Sequence, residues 1–154
     1  MGNCPPESEG ALEGIFAGEF AHQLDEKGRL AIPAKFRPRF REGAVVTRWD
    51  PECLAVWPQA EWESLNAAIA TRPRTDPAVI RFQRFLVASA HEAEPDAQGR
   101  ILIPQHLREW AGLSGEAVVV GVSRNLEIWS PERWRTHLAD VDSSIAETFR
   151  DLGI

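Results

Sequence analysis

The sequence predicts an α+β fold, mainly β, made of two tandem copies of one unit. One observation is a nine-residue stretch that occurs twice. Asp25-Glu26-Lys27-Gly28-Arg29-Leu30-Ala31-Ile32-Pro33 returns 71 residues later as Asp96-Ala97-Gln98-Gly99-Arg100-Ile101-Leu102-Ile103-Pro104. The other is that the agreement continues downstream. Arg37 matches Arg108, and Leu54-Ala55-Val56-Trp57 matches Leu126-Glu127-Ile128-Trp129. Trp62 matches Trp134, with one residue inserted in the second copy. Agreement that survives a gap marks an internal duplication.

The boundaries follow from it. Residues 1–14, rich in Pro, Gly, Glu and Ser, read as a mobile leader or as the product of an upstream start codon. The first repeat spans 15–72, a linker helix 73–90, the second repeat 91–136, and an acidic tail 137–154.

Within each repeat, Asp at the first position and Gly at the fourth suit a type I turn whose amides the Asp side chain caps. Gly28 and Gly99 supply the left-handed residue of a short hairpin loop. Leu30 and Ile32, like Ile101 and Ile103, begin a strand with alternate residues on the core. Pro33 and Pro104 suit the start of a helix. Phe36 and Phe40 bury the first such helix and Gly43 stops it. Residues 44–47 and 54–57 form a hairpin around Trp49-Asp50-Pro51-Glu52. Pro58 opens a helix with Trp62, Leu65 and Ile69 inward.

The stretch 72–77, with two prolines, interrupts that helix, and a second amphipathic helix carries Val79, Phe82, Phe85, Leu86 and Ser89 on one stripe. These aromatics read as core or subunit contact. In the second repeat Leu107, Trp110 and Ala111 bury the helix that Gly112 ends. Val118–Val122 and Leu126–Trp129 form the hairpin, and Ser130-Pro131 starts a last helix with Ser as N-cap. Its stripe of Trp134, Leu138 and Val141 thins into an acidic end.

Composition excludes several classes. The apolar share of 44% and charged share of 26% are those of an ordinary globular chain. No apolar run approaches membrane-spanning length. Pro6 stands where N-myristoylation wants Ser or Thr. Cys4 and Cys53 make no close pair, so no metal or redox motif is supported and a reducing cytoplasm is the simplest setting. His22, His91, His106 and His137 are scattered without zinc spacing, and no phosphate loop or nucleophile elbow occurs. Asp25 and Asp96 recur as a pair, but an Arg four residues on suits a structural cap better than acid–base work. No enzyme, metal or cofactor is expected.

The net charge of −6 argues against nucleic acid until its distribution is read. From Asp25 to Arg41, Lys27, Arg29, Lys35, Arg37, Arg39 and Arg41 outnumber Asp25 and Glu26, whereas acids gather in the leader and beyond Glu132. One anion-binding face is compatible with that pattern. A solvated helix flank is the plainer alternative for Arg39 and Arg41. Arg29 and Arg100 leave their turns beside a carboxylate that can aim them. A surface ion pair on a stabilising hairpin is the plainer reading of one copy, and the second copy favours a functional surface.

The repeated Asp-x-x-Gly-Arg-x-x-Ile-Pro, the entry Gly18-Glu19-Phe20-Ala21-His22-Gln23-Leu24 and the exit Ile128-Trp129-Ser130-Pro131 resemble the MraZ family, within the wider SpoVT-AbrB-like group. The likeness runs from about Ile15 to Trp134. It implies two tandem AbrB-like units in a pseudo-twofold, swapped-hairpin β-barrel with peripheral helices. The chains would assemble into a homo-oligomeric, octamer-like ring. It further implies a cytoplasmic, nucleoid-associated transcriptional repressor of the division and cell-wall gene cluster, bound to repeats of double-stranded promoter DNA and to no membrane.

Residue by residue, the likeness assigns DNA contact to Lys27, Arg29 and Arg100, orientation to Asp25 and Asp96, and turn formation to Gly28 and Gly99. Gln98 replaces the lysine in the second turn. It can still bond to a phosphate or an adenine edge but carries no charge, so unequal turns are expected. An antitoxin-like or scaffold module that binds a protein is the alternative.

Overall fold

A computed structural model of the chain describes residues 14–154, so Cys4 and nearly all of the expected leader lie outside the described residues. The first repeat runs β1 (Phe16–Gln23), β2 (Arg29–Ala31), α1 (Ala34–Phe40), β3 (Ala44–Trp49), β4 (Cys53–Pro58) and α2 (Gln59–Ala70). After α3 (Pro77–Phe82) and a π-turn over Gln83–Val87 comes the second repeat. It comprises β5 (His91–Ala93), β6 (Arg100–Leu102), α4 (Gln105–Ala111), β7 (Glu116–Ser123), β8 (Leu126–Trp129) and α5 (Pro131–Leu152). The fold is mixed α+β, with antiparallel strand pairs throughout.

Six strands form one sheet in the order β1-β7-β8-β4-β3-β5, and β2 and β6 form a second, two-stranded sheet. Replacing each strand by its counterpart in the other repeat reverses that order and leaves it unchanged. The first strand of each repeat pairs with the other repeat's hairpin, β1 with β7 and β5 with β3. Counterparts also face each other: Leu30 opposes Ile101 between β2 and β6, and Ala55 opposes Glu127 between β4 and β8. A pseudo-twofold relation therefore runs through both pairs.

The expected local hairpin needs revision on this point. The tight turn itself closes locally, through the Asp25 amide to the Arg29 carbonyl at 2.9 Å and a bridge from Leu24 to Leu30, but β2 finds its ladder across the duplication with β6. The registers also locate the insertion. Val45 faces Trp57 as Val118 faces Trp129, and Ala44 faces Ala93 as Ala117 faces His22. Two residues are gained before β7 and one is lost in the β7–β8 turn, a net gain of one.

The core fills the inner face of the large sheet. Phe16 packs edge-on against Phe36 at 5.1 Å, and Leu30 and Ile101 of the small sheet close it with Ile32 and Ile103, which follow its strands. Helix α1 is 3₁₀ rather than α, because Pro38 lies inside it and donates no amide hydrogen. On the outer face α2 covers Val45, Ala55 and Trp57 with Trp62 and Leu65. The start of α5 covers Val120 and Trp129 with Trp134.

The linker is anchored to β3. Asp76 caps α3 by accepting from the Ala78 amide at 2.9 Å. Thr47 Oγ1, fully buried, lies 2.6 Å from the Leu86 carbonyl and 2.8 Å from Ser89 Oγ. Arg48 donates to the Phe85 carbonyl at 2.8 Å, and its guanidinium carbon lies 4.4 Å from the Phe85 ring centre. Of the expected stripe, Val79 and Leu86 are buried, while Phe82 and Phe85 are half-covered.

The C-terminal end differs from expectation. Instead of fading, α5 continues for 22 residues to a left-handed Gly153, φ 74°. The stripe of Trp134, Leu138 and Val141 is prolonged by Ile145, Phe149 and Leu152, the last three exposed at 38%, 49% and 67%. α2 stops at 12 residues over its hairpin and the chain breaks before α3, whereas α5 runs on as one continuous helix.

Candidate nucleic-acid interface

Both repeated turns have the bonding their sequence implies. Asp25 Oδ1 accepts from the amides of Lys27 and Arg29, each at 2.9 Å, and the Gly28 amide donates to the Asp25 carbonyl at 3.0 Å. The remaining oxygen, Oδ2, accepts from Arg29 Nε at 2.7 Å. In the second turn Asp96 Oδ1 accepts from Gln98 and Arg100, each at 2.9 Å, and Oδ2 accepts from Arg100 Nε at 2.9 Å. Gly28 and Gly99 have φ of 81° and 76°, the left-handed region where a side chain is strained.

The exchanged topology sets the turns against each other. Ile32 donates its amide to the Gly99 carbonyl and Ile103 to the Gly28 carbonyl, each at 2.8 Å. Arg100 Nη1 reaches Asp25 Oδ2 at 3.5 Å, so one carboxylate holds arginines of both repeats. Lys27 and Gln98 are exposed, whereas the Arg29 and Arg100 side chains are only 32% and 29% exposed. These arginines are aimed rather than swinging freely: Nε is committed in both, Arg100 Nη1 also faces Asp25, and the remaining Nη groups carry the outward bonding capacity.

Both carboxyls are held below their ordinary value. For Asp25 the largest lowering comes from the Arg29 amide, and for Asp96 from the Arg100 amide. Each is therefore ionised at neutral pH, a state suited to orienting an arginine and unsuited to giving up a proton. Among the described residues no three His, Cys, Asp or Glu side chains are grouped to hold a metal ion. Among those residues, too, no helix is long and apolar enough to cross a membrane.

Sequence alone showed Arg37 and Arg108 as a matched pair of unexplained purpose. Each donates Nε to a carbonyl in its own repeat, Ile32 at 3.0 Å and Ile103 at 2.9 Å. Their guanidinium carbons then lie over the glycine of the opposite turn. A Cβ on Gly99 would come within 2.7 Å of Arg37 Cζ, and one on Gly28 within 2.8 Å of Arg108 Cζ. The matching of Arg37 with Arg108 signalled a shared task, but the crossing between repeats is invisible in a linear reading. A hollow of about 550 Å³ beside the second turn is lined by Arg37, Arg41, Glu94, Asp96, Ala97 and Gly99 among others.

Comparison with known proteins agrees with this architecture. A family model described as "MraZ protein, putative antitoxin-like" matches the chain twice, over residues 15–85 and 86–153. A protein of Roseiflexus castenholzii named transcriptional regulator MraZ is 45% identical over 130 residues, 84% of this chain and 91% of its own. Proteins of the same name from Saccharopolyspora erythraea and Acetivibrio thermocellus are 44% and 43% identical. They cover 86% and 91% of this chain, and 93% and 100% of their own lengths.

Proposed function

The chain belongs to the MraZ family, and on that premise we propose that it is a DNA-binding transcriptional regulator whose binding surface is the pair of Asp-anchored turns. The observation that carries the proposal is the shared geometry of Asp25–Arg29 and Asp96–Arg100, two rigid loops set side by side with basic groups at their tips. Lys27, Arg29 and Arg100 supply charge-assisted bonds to phosphate or base edges, and Gln98 a neutral one. Asp25 and Asp96 hold the arginines, and Gly28 and Gly99 hold the turns.

A few contacts bind DNA weakly at cellular salt, since each neutralised phosphate contributes separately. Repetition around an oligomer turns weak contacts into a tight one when the DNA repeats match their spacing. The exposed apolar stripe on the second half of α5 supports self-assembly, in the ring expected of the family. The exchange of strands between repeats supports reading the two sheets as one swapped-hairpin barrel at the centre of each subunit. The regulated genes are, on this reading, the division and cell-wall cluster that includes its own gene. The chain acts there as a repressor in the cytoplasm, on the nucleoid.

A gel-shift titration of the full chain against duplex DNA taken from directly upstream of its gene tests this. Retarded, salt-sensitive complexes that an unrelated duplex does not compete away are expected. Equal binding to both duplexes removes sequence-specific regulation, and no binding to either removes the DNA surface.

A further inference from the structure

We infer that Arg37 and Arg108 are phosphate-binding residues, each serving the turn of the opposite repeat, so that every DNA-facing turn is a composite of both halves of the chain. The inference rests on the turns being a DNA surface and adds two members to it.

The first argument is preorganisation. Each of these arginines spends Nε on a carbonyl of its own repeat, at 3.0 Å and 2.9 Å, and rests its guanidinium on a glycine of the other. With side chain and seat both fixed, the two Nη groups are held at the turn with no bonding partner among the described residues. A planar guanidinium with two free amino groups matches the paired oxygens of a phosphodiester. Covering a glycine needs only an aliphatic stem, so packing alone does not account for a guanidinium at both positions.

The second argument is the balance of charge. The first turn has Glu26 and Lys27 at its tip, and the second has the neutral pair Ala97 and Gln98, with no cation of its own there. The side chain crossing to the second turn is Arg37, and Arg41 lines the same hollow together with Glu94 and Asp96. The α4 side, which crosses to the first turn, brings Arg108 with Glu109 after it, and Gly112 stands where Arg41 stands. The repeat that lacks the lysine thus regains cationic character from its neighbour. Each composite site then holds an arginine from each half of the chain, Arg29 with Arg108 and Arg100 with Arg37.

The test compares wild type, Arg37→Met, Arg37→Lys and Arg29→Ala for binding to the upstream duplex across a salt series. Met keeps the stem over Gly99 and removes the charge, whereas Lys restores the charge. Arg37→Met should bind about tenfold or more weakly at fixed salt, as removal of a charge-assisted bond predicts. Its plot of log affinity against log salt should flatten by roughly 0.9 for each phosphate that is no longer neutralised. Arg37→Lys should keep the wild-type slope.

Wild-type slope and affinity in a folded Arg37→Met overturn the inference, as does weaker binding at an unchanged slope, which reports a loosened turn. If Arg29→Ala still abolishes binding in that case, the DNA reading itself stands. Arginine-selective dicarbonyl labelling of the wild-type protein, mapped by mass spectrometry, decides the matter even if the variant does not fold. Arg37 and Arg108 should label in the free protein and be protected by the duplex. Failure to label when free, or equal labelling in the complex, contradicts it.

Discussion

At the scale of single residues, one carboxylate organises each turn. Asp25 binds two amides and the Arg29 guanidinium, and the Arg100 guanidinium reaches the same carboxylate at 3.5 Å. Because the folded pKa values of Asp25 and Asp96 are lowered, the stability they give is complete above the ordinary carboxylate value and is lost as pH falls through the folded value. The two aspartates should accordingly give DNA affinity no pH dependence from pH 8 down to about pH 5, above the ordinary carboxylate range. A titration by fluorescence anisotropy of a His22→Gln variant, which removes the imidazole beside Arg37, checks this. Glu127 behaves oppositely, since burial raises its pKa while its side chain accepts from Trp129 Nε1 at 2.9 Å. Glu127→Gln keeps the acceptor and removes the buried charge. It should raise the melting temperature at neutral pH, with the gain shrinking as the pH falls and Glu127 becomes protonated in the wild type. The counterpart of Glu127 is Ala55, directly opposite across the strands, where a second glutamate would set two carboxylates face to face. Trp57, the counterpart of Trp129, consequently has a buried Nε1 with no hydrogen-bond partner among the described residues.

At the scale of elements, the turns were legible because Asp and Gly act within five residues of chain. The exchange of β1 and β5 was not, because alternation along a strand states which face is apolar and not which strand lies beside it. The length of α5 was hidden by Ser143, Ser144 and the surrounding acids, which weaken both the stripe and the helix propensity. Two elements give direct tests. Thr47 pins the linker to β3 through a buried hydroxyl. Thr47→Val leaves the Leu86 carbonyl without that donor and should cost about 1–3 kcal/mol in chemical denaturation. The second is the outer half of α5. Phe149 is 49% exposed on its apolar stripe, so Phe149→Asp should barely change the fold of a subunit. If α5 joins subunits, analytical ultracentrifugation of that variant should show smaller species, because the contact would have to bury a charge. An unchanged sedimentation coefficient places the subunit contact elsewhere.

At the scale of the molecule, duplication and exchange together put two equivalent turns, and the arginines that cross to them, on one region of a single chain. Neither repeat makes that region alone: β2 needs β6, Asp25 is reached by Arg100, and Gly99 seats Arg37. A net charge of −6 is compatible with a DNA-binding face because the bases cluster at these turns and α1 while the acids lie along α5. The most direct measurement is the affinity of Arg29→Ala/Arg100→Ala for the upstream duplex, taken beside its melting curve and sedimentation profile. The side-chain ion pairs removed are partly exposed and screened, so fold and assembly should match wild type. Promoter binding should disappear, because every turn in the assembly is deprived of its arginine at once. A folded double variant that binds the promoter as tightly as wild type would contradict the account.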